Sequence, residues 1–231
     1  MLVLIGAALM LRAVLIHSPV QAGLAFGLAV AGKPTAILFA PILLPAGMTA
    51  IAIAVAATAV LWLPFFLADP GGFLAAGKGV VEVRPGSFPS YLGYELWGPT
   101  PSWIRLLALG GGVLVCLVFV RRGDLARGML AAFALRTVVD PNPAQCYATS
   151  LIALGLLADV PYRRMPWTAL TGMLGWILSG PVVIAPVFGW PRIIVTAAIV
   201  AVSPRVSKPS LDTPLDAIPD ARRAPSGQPV G

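Results

Sequence analysis

The sequence predicts an all-α fold, a polytopic bundle of transmembrane helices that includes broken or re-entrant helices. Its 231 residues are 58% hydrophobic and 11% charged, and the mean hydropathy is +0.89. Charged residues make up about a quarter of a soluble domain, so this balance indicates a membrane protein. The apolar runs lie within residues 1–203, whereas residues 204–231 are rich in Pro, Ser, Asp and Arg. We therefore predict a transmembrane domain over 1–203 and a disordered tail over 204–231.

The chain starts directly in an apolar segment, Met1 to Ile16. No basic residues precede this segment and no small-residue cleavage site ahead of a polar domain follows it, so a secretory signal is disfavoured. We expect a first span that ends near Arg12 and His17. A start inside a span is also what an N-terminally truncated chain would show.

The next apolar run, Val20 to Gly47, is interrupted by Gly32-Lys33-Pro34. It is too long for one crossing of about 20 residues and too short for two, which predicts either a kinked span or a re-entrant pair of half-helices. Gly23 and Gly27 have the G-x-x-x-G spacing that lets a neighbouring helix approach closely. Lys33 has two readings of equal weight: a side chain that reaches the membrane interface, or a cation held for an anionic ligand.

Met48 to Leu67 supplies one clean span, and about residues 68–102 form the long polar connection after it. Aromatic side chains alternate with charged ones in this connection. Such rings either stack on a sugar or lie along a membrane surface, and both uses remain open. The residues concerned are Asp69, Lys78, Glu82, Arg84 and Glu95, with Phe73, Phe88, Tyr91, Tyr94, Trp97 and Trp103.

The basic residues predict one orientation for the chain. The span Trp103 to Val120 is followed by Arg121, Arg122 and Arg127, and the positive-inside rule makes this turn cytoplasmic. The 68–102 loop is then outside, and the tail is predicted to be cytoplasmic. We expect a multi-pass protein of the plasma membrane, with two further apolar segments at 165–188 and 193–202.

A break is predicted where Leu135 to Tyr147 reads L-R-T-V-V-D-P-N-P-A-Q-C-Y. The two prolines stop the helix that starts at Leu125 near Asp140, and the helix restarts near Ala144. Arg136 and Asp140 are four residues apart on one helix face, so they pair with each other or share a polar cavity.

Several other site types are disfavoured. The basic residues are scattered between apolar runs, so nucleic acid is not expected as a partner. Cys116 and Cys146 have no C-x-x-C spacing and His17 is the only histidine, so no metal site and no cofactor are predicted, and both thiols are expected to be packing residues.

Three stretches resemble actinobacterial membrane proteins of glycosyltransferase family 87. They are G-L-A-F-G-L-A-V-A-G-K-P from Gly23 to Pro34, Y-E-L-W-G-P-T-P-S-W-I-R from Tyr94 to Arg105, and L-R-T-V-V-D-P-N from Leu135. The resemblance implies a GT-C type fold in a bacterial inner membrane. It implies a hexosyltransferase that transfers a sugar, typically mannose, from a polyprenyl-phosphate carrier to a glycolipid or glycan acceptor on the outer face. GT-C enzymes usually carry a catalytic acid in the first external loop, but this chain has no acidic residue before Asp69. Either that half is missing, or the chain is not active alone.

The chemistry of such a transfer selects candidate residues. The carrier phosphate needs a cation, and the acceptor hydroxyl needs a carboxylate to take its proton. The candidate cations are Arg136, Lys78, Arg84 and Lys33, and the candidate catalytic carboxylates are Asp140 and Glu95. Two alternatives remain: an ion pair that only closes a broken helix, and a non-catalytic membrane subunit or transporter-like lipid-binding protein.

Overall fold

The computed structural model describes residues 2–77, 81–85, 87–140 and 146–159, together with positions 168, 170, 173, 194, 197, 198, 200 and 201. This part of the chain is helical and has no strand, as the predicted all-α class requires; one isolated bridge joins Glu82 and Pro99. The predicted tail at 204–231 and most of the two predicted segments at 165–188 and 193–202 lie outside the described residues. The helices are α1 Leu2–Leu15, α2 Pro19–Gly32, a 3-10 helix Pro34–Ala46, α3 Met48–Ala68, α4 Pro70–Gly77, α5 Phe88–Tyr91, α6 Ser102–Arg121, α7 Leu125–Val139 and α8 Cys146–Asp159.

Two of the described helices, α3 and α6, are long and apolar enough to cross a membrane. Their 21 and 20 residues give a length of about 30 Å at 1.5 Å per residue, which matches the hydrocarbon core of a bilayer. Only 11% of the apolar window in α3 is buried inside the protein, unlike the core helix of a soluble domain. This helix therefore presents most of its apolar surface outward.

The helices α2 and α3 run parallel, which determines how the chain passes between them. Gly23 of α2 packs against Ala50, and Gly27 packs against Ala57, so the contacts advance in the same direction along both helices. If residues 20–47 formed a single kinked helix, the chain would turn back after it, and α3 would run antiparallel to α2. The 3-10 helix must instead return alongside α2, and the chain forms a helical hairpin over Pro19–Ala46.

The hairpin reverses at Lys33, and the chain reverses again at Gly47. Lys33 has an extended backbone (φ −160°, ψ 118°), and its N–H donates to the Ala29 carbonyl oxygen at 3.0 Å, which ends α2. Pro34 has no N–H and begins the 3-10 helix. Gly47 has φ +85°, a left-handed conformation that glycine adopts without steric cost. The interruption lies where the sequence predicts it.

The 3-10 helix is unusually long at 13 residues, because such helices rarely exceed about four. Pro41 and Pro45 lie inside it, lack N–H donors and disfavour α-helical geometry. Leu38, Phe39 and Ile42 are fully buried. Packing against α2, α6 and α7 therefore stabilises a backbone that is weak on its own.

The helices α6 and α7 form an antiparallel pair joined by a tight turn. Gly123 supplies the turn with φ +78°, and the Asp124 carboxylate caps α7 by accepting from the Arg127 N–H at 3.4 Å. We call the end of this pair at Arg121 and Leu125 the turn end, and the opposite end at Ser102 and Val139 the loop end. The Arg127 guanidinium also donates to the carbonyl oxygen of Val200 at 2.9 Å, so Val200 lies at the turn end.

We expect the substitution Gly27→Ala to destabilise the protein. A Cβ atom at this position would lie 2.6 Å from the Ala57 Cβ, so α2 and α3 would have to separate. Overpacking of this kind costs about 1–3 kcal/mol of unfolding free energy, measurable by thermal unfolding in detergent. Gly110→Ala is the matched control, because a Cβ there meets no atom within 4 Å. Equal stability of the two variants would contradict the close contact.

Candidate functional site

The end of α7 carries a buried ion pair. The Arg136 Nη2 lies 3.0 Å from the Asp140 Oδ2, and the two side chains are 13% and 6% exposed. The Asp140 N–H donates to the Arg136 carbonyl oxygen at 2.8 Å, and at Asp140 the backbone leaves the helix (φ −59°, ψ 129°). The helix ends where the sequence predicts. Of the two arrangements left open for Arg136 and Asp140, the structure shows the mutual ion pair.

The local sequence explains this geometry. Residues four apart meet on one helix face, and Pro141 prevents the helix from continuing. The Arg136 cation is favourable beside the carbonyl groups of a helix C-terminus, whereas the Asp140 anion is unfavourable there. Because both charges are largely withdrawn from solvent, their attraction offsets part of the cost of burying them.

A small apolar cluster joins the loop to α6 and to the end of α7. Ile104 and Ala108 of α6, Val139 of α7 and Phe88 of α5 pack together at the loop end. Phe88 belongs to the long polar connection, so this connection folds back onto α6 and α7. Val139 immediately precedes Asp140, which brings the folded connection close to the ion pair.

Paired backbone segments hold the rest of this connection, which we call the loop platform (residues 81–101). The Val83 N–H donates to the Gly98 carbonyl oxygen at 2.9 Å, and the Trp97 N–H donates to the Val83 carbonyl oxygen at 2.8 Å. The Thr100 N–H donates to the Val81 carbonyl oxygen at 2.8 Å. The connection predicted as a polar loop is therefore an ordered structure with few regular elements.

Trp97 is the most unusual residue of the loop platform. Its φ of +68° is rare for a bulky residue and costs about 1–3 kcal/mol. The Arg84 guanidinium carbon lies 4.2 Å from the ring centroid, and the Arg84 Nη2 lies 3.1 Å from the Glu82 carboxylate. Nearby, the Trp103 Nε1 donates to the Tyr94 hydroxyl at 3.3 Å.

The other predicted site residues have different surroundings. Glu95 is exposed on the loop platform, whereas Asp140 is buried, so the structure does not bring the two candidate carboxylates into one buried site. Lys33 is exposed at the hairpin tip. The contacts of Gly23 and Gly27 fix how α2 is aligned with the parallel helix α3. Continued along both helices, this alignment places Lys33 roughly 7–12 Å before the C-terminal end of α3, at 1.5 Å per residue. Lys78 lies outside the described residues.

An apolar groove of about 670 Å³ opens between the hairpin, α3 and α6. Among the described residues that line it, Thr58 is the one with a hydroxyl group, and that hydroxyl donates to the Ala54 carbonyl oxygen at 2.8 Å. Val30 and Ile37 line the groove on either side of Lys33 in the sequence. The groove suits a hydrocarbon chain, and the tip of the hairpin brings a cation near it. Neither Arg136 nor Asp140 lines it.

Sequence reasoning did not single out Asp159, a second buried carboxylate. Its two oxygens accept from the Thr168 N–H at 2.9 Å and from the Thr168 hydroxyl at 2.6 Å. The available signal was an acidic residue at the end of an apolar run, and these bonds give it a structural role. Cys116 is buried in the core, as expected for a packing residue. Among the described residues, no group of three metal-binding side chains is present.

The chain matches no family model, no curated protein and no solved structure. The resemblance to glycosyltransferase family 87 therefore stays a prediction carried by the three sequence stretches.

We expect Arg136→Gln and Asp140→Asn each to lower the free energy of unfolding by about 3–5 kcal/mol, because each removes one partner of a buried ion pair. The double variant should recover part of this loss, since it removes both charges. Thermal or chemical unfolding in detergent measures the three values.

The exposed pair of Arg84 and Glu82 is the control for the single and double variants of Arg136 and Asp140. Arg84→Gln should cost about 1 kcal/mol or less, because solvent screens a pair whose side chains are 39% and 45% exposed. Additive effects of Arg136→Gln and Asp140→Asn would show that the two buried residues are not coupled.

Proposed function

We propose that this chain is a membrane glycosyltransferase, or a fragment of one. It transfers a hexose, mannose by the resemblance, from a polyprenyl-phosphate carrier to a glycolipid or glycan acceptor on the outer face. The observation that carries the proposal is the buried pair of Arg136 and Asp140 at a helix break next to the loop platform. Such a pair combines a cation for a phosphate with a carboxylate for an acceptor hydroxyl.

The transfer needs three events at one place. The acceptor hydroxyl oxygen attacks the anomeric carbon, the bond to the carrier phosphate breaks with its electron pair staying on the phosphate, and a carboxylate takes the hydroxyl proton. A guanidinium matches phosphate with a planar fork of donors, and this interaction is strong where water is excluded. Phosphate binding to Arg136 would compete with Asp140 and make its carboxylate available as the base. Glu95, on the loop platform, is the alternative base.

The remaining candidates have supporting roles in this scheme. The apolar groove supplies a surface for the hydrocarbon tail of the carrier, and Lys33 at the hairpin tip supplies a cation near the groove. Arg84 pairs with Glu82 and stacks on Trp97 in a solvent-exposed setting, where a charged hydrogen bond to phosphate is weaker than at the buried Arg136. Lys78 remains a candidate from sequence alone.

The proposed setting is a multi-pass protein in a bacterial inner membrane. The turn end, with Arg121, Arg122 and Arg127, faces the cytoplasm, and the loop platform faces outward. The bond from Arg127 to the Val200 carbonyl oxygen supports a tail that begins on the cytoplasmic side.

A second candidate is a non-catalytic, transporter-like subunit that binds lipid. The hairpin over Pro19–Ala46 favours it, because half-helices at membrane depth are common in transporters and are tolerated where they line a cavity. The apolar groove beside the hairpin fits lipid binding equally well. Carrier binding without sugar transfer would select this candidate.

We expect Arg136→Gln to weaken binding of decaprenyl phosphate about 10- to 100-fold, since a charged hydrogen-bond donor is lost. Binding is measured with the purified full chain in detergent. Arg136→Lys keeps the charge opposite Asp140 but loses the planar fork, so it should weaken binding while losing less stability. Asp140→Asn should retain binding and lose sugar transfer.

Arg121→Gln is the matched control for these variants, because it removes an exposed arginine at the turn end and should leave binding unchanged. Unchanged binding in Arg136→Gln, with a parent chain that binds measurably, would remove the phosphate role and leave the structural ion pair.

The proposed orientation predicts that Leu92→Cys reacts with a membrane-impermeant thiol reagent in intact cells and that Arg122→Cys reacts only after lysis. Both positions are exposed, and the background carries Cys116→Ala and Cys146→Ala. The opposite labelling pattern would reverse the orientation and move Asp140 to the cytoplasmic side.

A further inference from the structure

Arg105 lies at the loop end of a row of α6 side chains that lines the apolar groove. Val113 and Leu117 line the groove, and Leu109 and Arg105 continue the same row at intervals of four residues. Residues four apart lie one above another on a helix, so these side chains share one face. Arg105 is half-buried, and its Nε is shielded from solvent. The α6 wall of the groove therefore continues to a cation about 12 Å beyond Val113, at 1.5 Å per residue.

Lys33 lies at the same level on the opposite wall. The 3-10 helix packs against α6, and a Cβ atom on Gly112 would overlap the Leu38 side chain. Lys33 precedes Leu38 by five residues, which is about 10 Å at the rise of a 3-10 helix. Arg105 precedes Gly112 by seven residues, which is also about 10 Å at the rise of an α-helix. Both distances run toward the loop end, where the hairpin tip and the C-terminal end of α3 lie.

The ion pair at the end of α7 shares this level. A Cβ atom on Gly112 would also lie 3.3 Å from the Ala132 carbonyl oxygen of α7, which is antiparallel to α6. Asp140 follows Ala132 by eight residues, or about 12 Å toward the loop end. Arg105 and Lys33 therefore lie at about the depth of the candidate catalytic pair.

The groove fits a hydrocarbon tail that enters from the bilayer. The described lining residues are apolar apart from Thr58. Ile37, Leu44 and Val55 line the groove and are exposed, so the groove opens sideways. An apolar groove that leads to cations suits an amphiphile with one hydrocarbon tail and one anionic head.

The cations favour the loop end as the position of the head. A guanidinium with a shielded nitrogen binds phosphate strongly, because little water competes there. Arg121 continues the same row of α6 at the turn end, but Arg121 is exposed. The stretch of the 3-10 helix at that end, Leu44 to Ala46, carries no charge. The loop end instead combines Arg105 with Lys33.

We infer that Arg105 and Lys33 bind the phosphate of a polyprenyl-phosphate lipid whose tail lies in the groove. The identification of this lipid as the sugar carrier rests on the proposed function; the binding of a lipid phosphate by Arg105 and Lys33 does not. When the bond between sugar and phosphate breaks, the electron pair stays on the phosphate, and a phosphodiester becomes a more negative monoester. Cations held at this position stabilise the added charge.

The test measures binding of decaprenyl phosphate to the purified full chain in detergent by native mass spectrometry. Arg105→Gln should weaken binding about tenfold, and Lys33→Gln by roughly two- to fivefold, because Lys33 is exposed. Arg121→Gln is the matched control from the other end of the row and should bind like the parent chain. Decaprenol, which lacks the phosphate, should bind equally to the parent chain and to Arg105→Gln. If Arg105→Gln loses thermal stability, Arg105→Lys replaces it and should weaken binding about threefold, because it keeps the charge but loses the planar fork.

Ala59→Trp tests the position of the tail. Ala59 lines the groove and is exposed, so the indole ring should fill the groove without entering the core and weaken decaprenyl phosphate binding about tenfold. Ala56→Trp is the matched control, because Ala56 is exposed on the same helix but does not line the groove. Both variants should keep the thermal stability of the parent chain.

Parent-like binding by Arg105→Gln or by Ala59→Trp, each with unchanged stability, would overturn the inference. Displacement of decaprenyl phosphate by an equal concentration of inorganic phosphate or of phosphatidylglycerol would assign the site to a free anion or to a bulk phospholipid, and would also overturn it. Weaker binding in Arg105→Gln but not in Arg136→Gln would support the groove site and reject the phosphate role of the ion pair. The converse would reject only the groove site.

Discussion

The architecture depends on how the chain breaks its helices without leaving backbone donors unpaired in apolar surroundings. Three helices end at a charged residue followed by proline: Lys33-Pro34, Asp69-Pro70 and Asp140-Pro141. In each case the N–H of the charged residue still donates to the carbonyl oxygen four residues earlier, at 3.0, 3.2 and 2.8 Å respectively. The proline that follows has no N–H to satisfy. These breaks therefore leave few backbone N–H groups without a hydrogen bond in surroundings where water is scarce.

The breaks also gather charges at one end of the bundle. Because α2 and α3 are parallel, Lys33 and Asp69 lie toward the same end, and the connection from Asp69 folds onto the loop end of α6 and α7 beside Asp140. Apolar helices pack tightly below this end, where Gly23 and Gly27 allow close contact. The three charged helix breaks therefore lie toward one end of the bundle, on a scaffold with a largely apolar interior.

Local signals predicted the helix breaks well, because proline and glycine act on the nearest turn. The ends of α2 and α7, the G-x-x-x-G contact and the pairing of Arg136 with Asp140 all follow from spacing of four residues or fewer. The reversal of the chain at Lys33 could not be predicted, because a kinked span and a hairpin of two half-helices have the same hydropathy pattern. The stacking of Arg84 on Trp97 depends on pairing between two distant loop segments, which no period in the sequence records. The helix content was thus easier to predict than the loop platform.

The three charged breaks differ in what their side chains do. Asp69 caps α4 by accepting from the Gly72 N–H at 2.9 Å, and Lys33 is exposed. Asp140 is instead buried against Arg136, at a helix end where an anion is unfavourable. Closing the helix requires only the proline, and replacing a buried ion pair by apolar residues is often neutral or stabilising. Among the three breaks, Asp140 is thus the one whose charged side chain is buried in an ion pair, so this helix end carries a desolvation cost that the other two avoid.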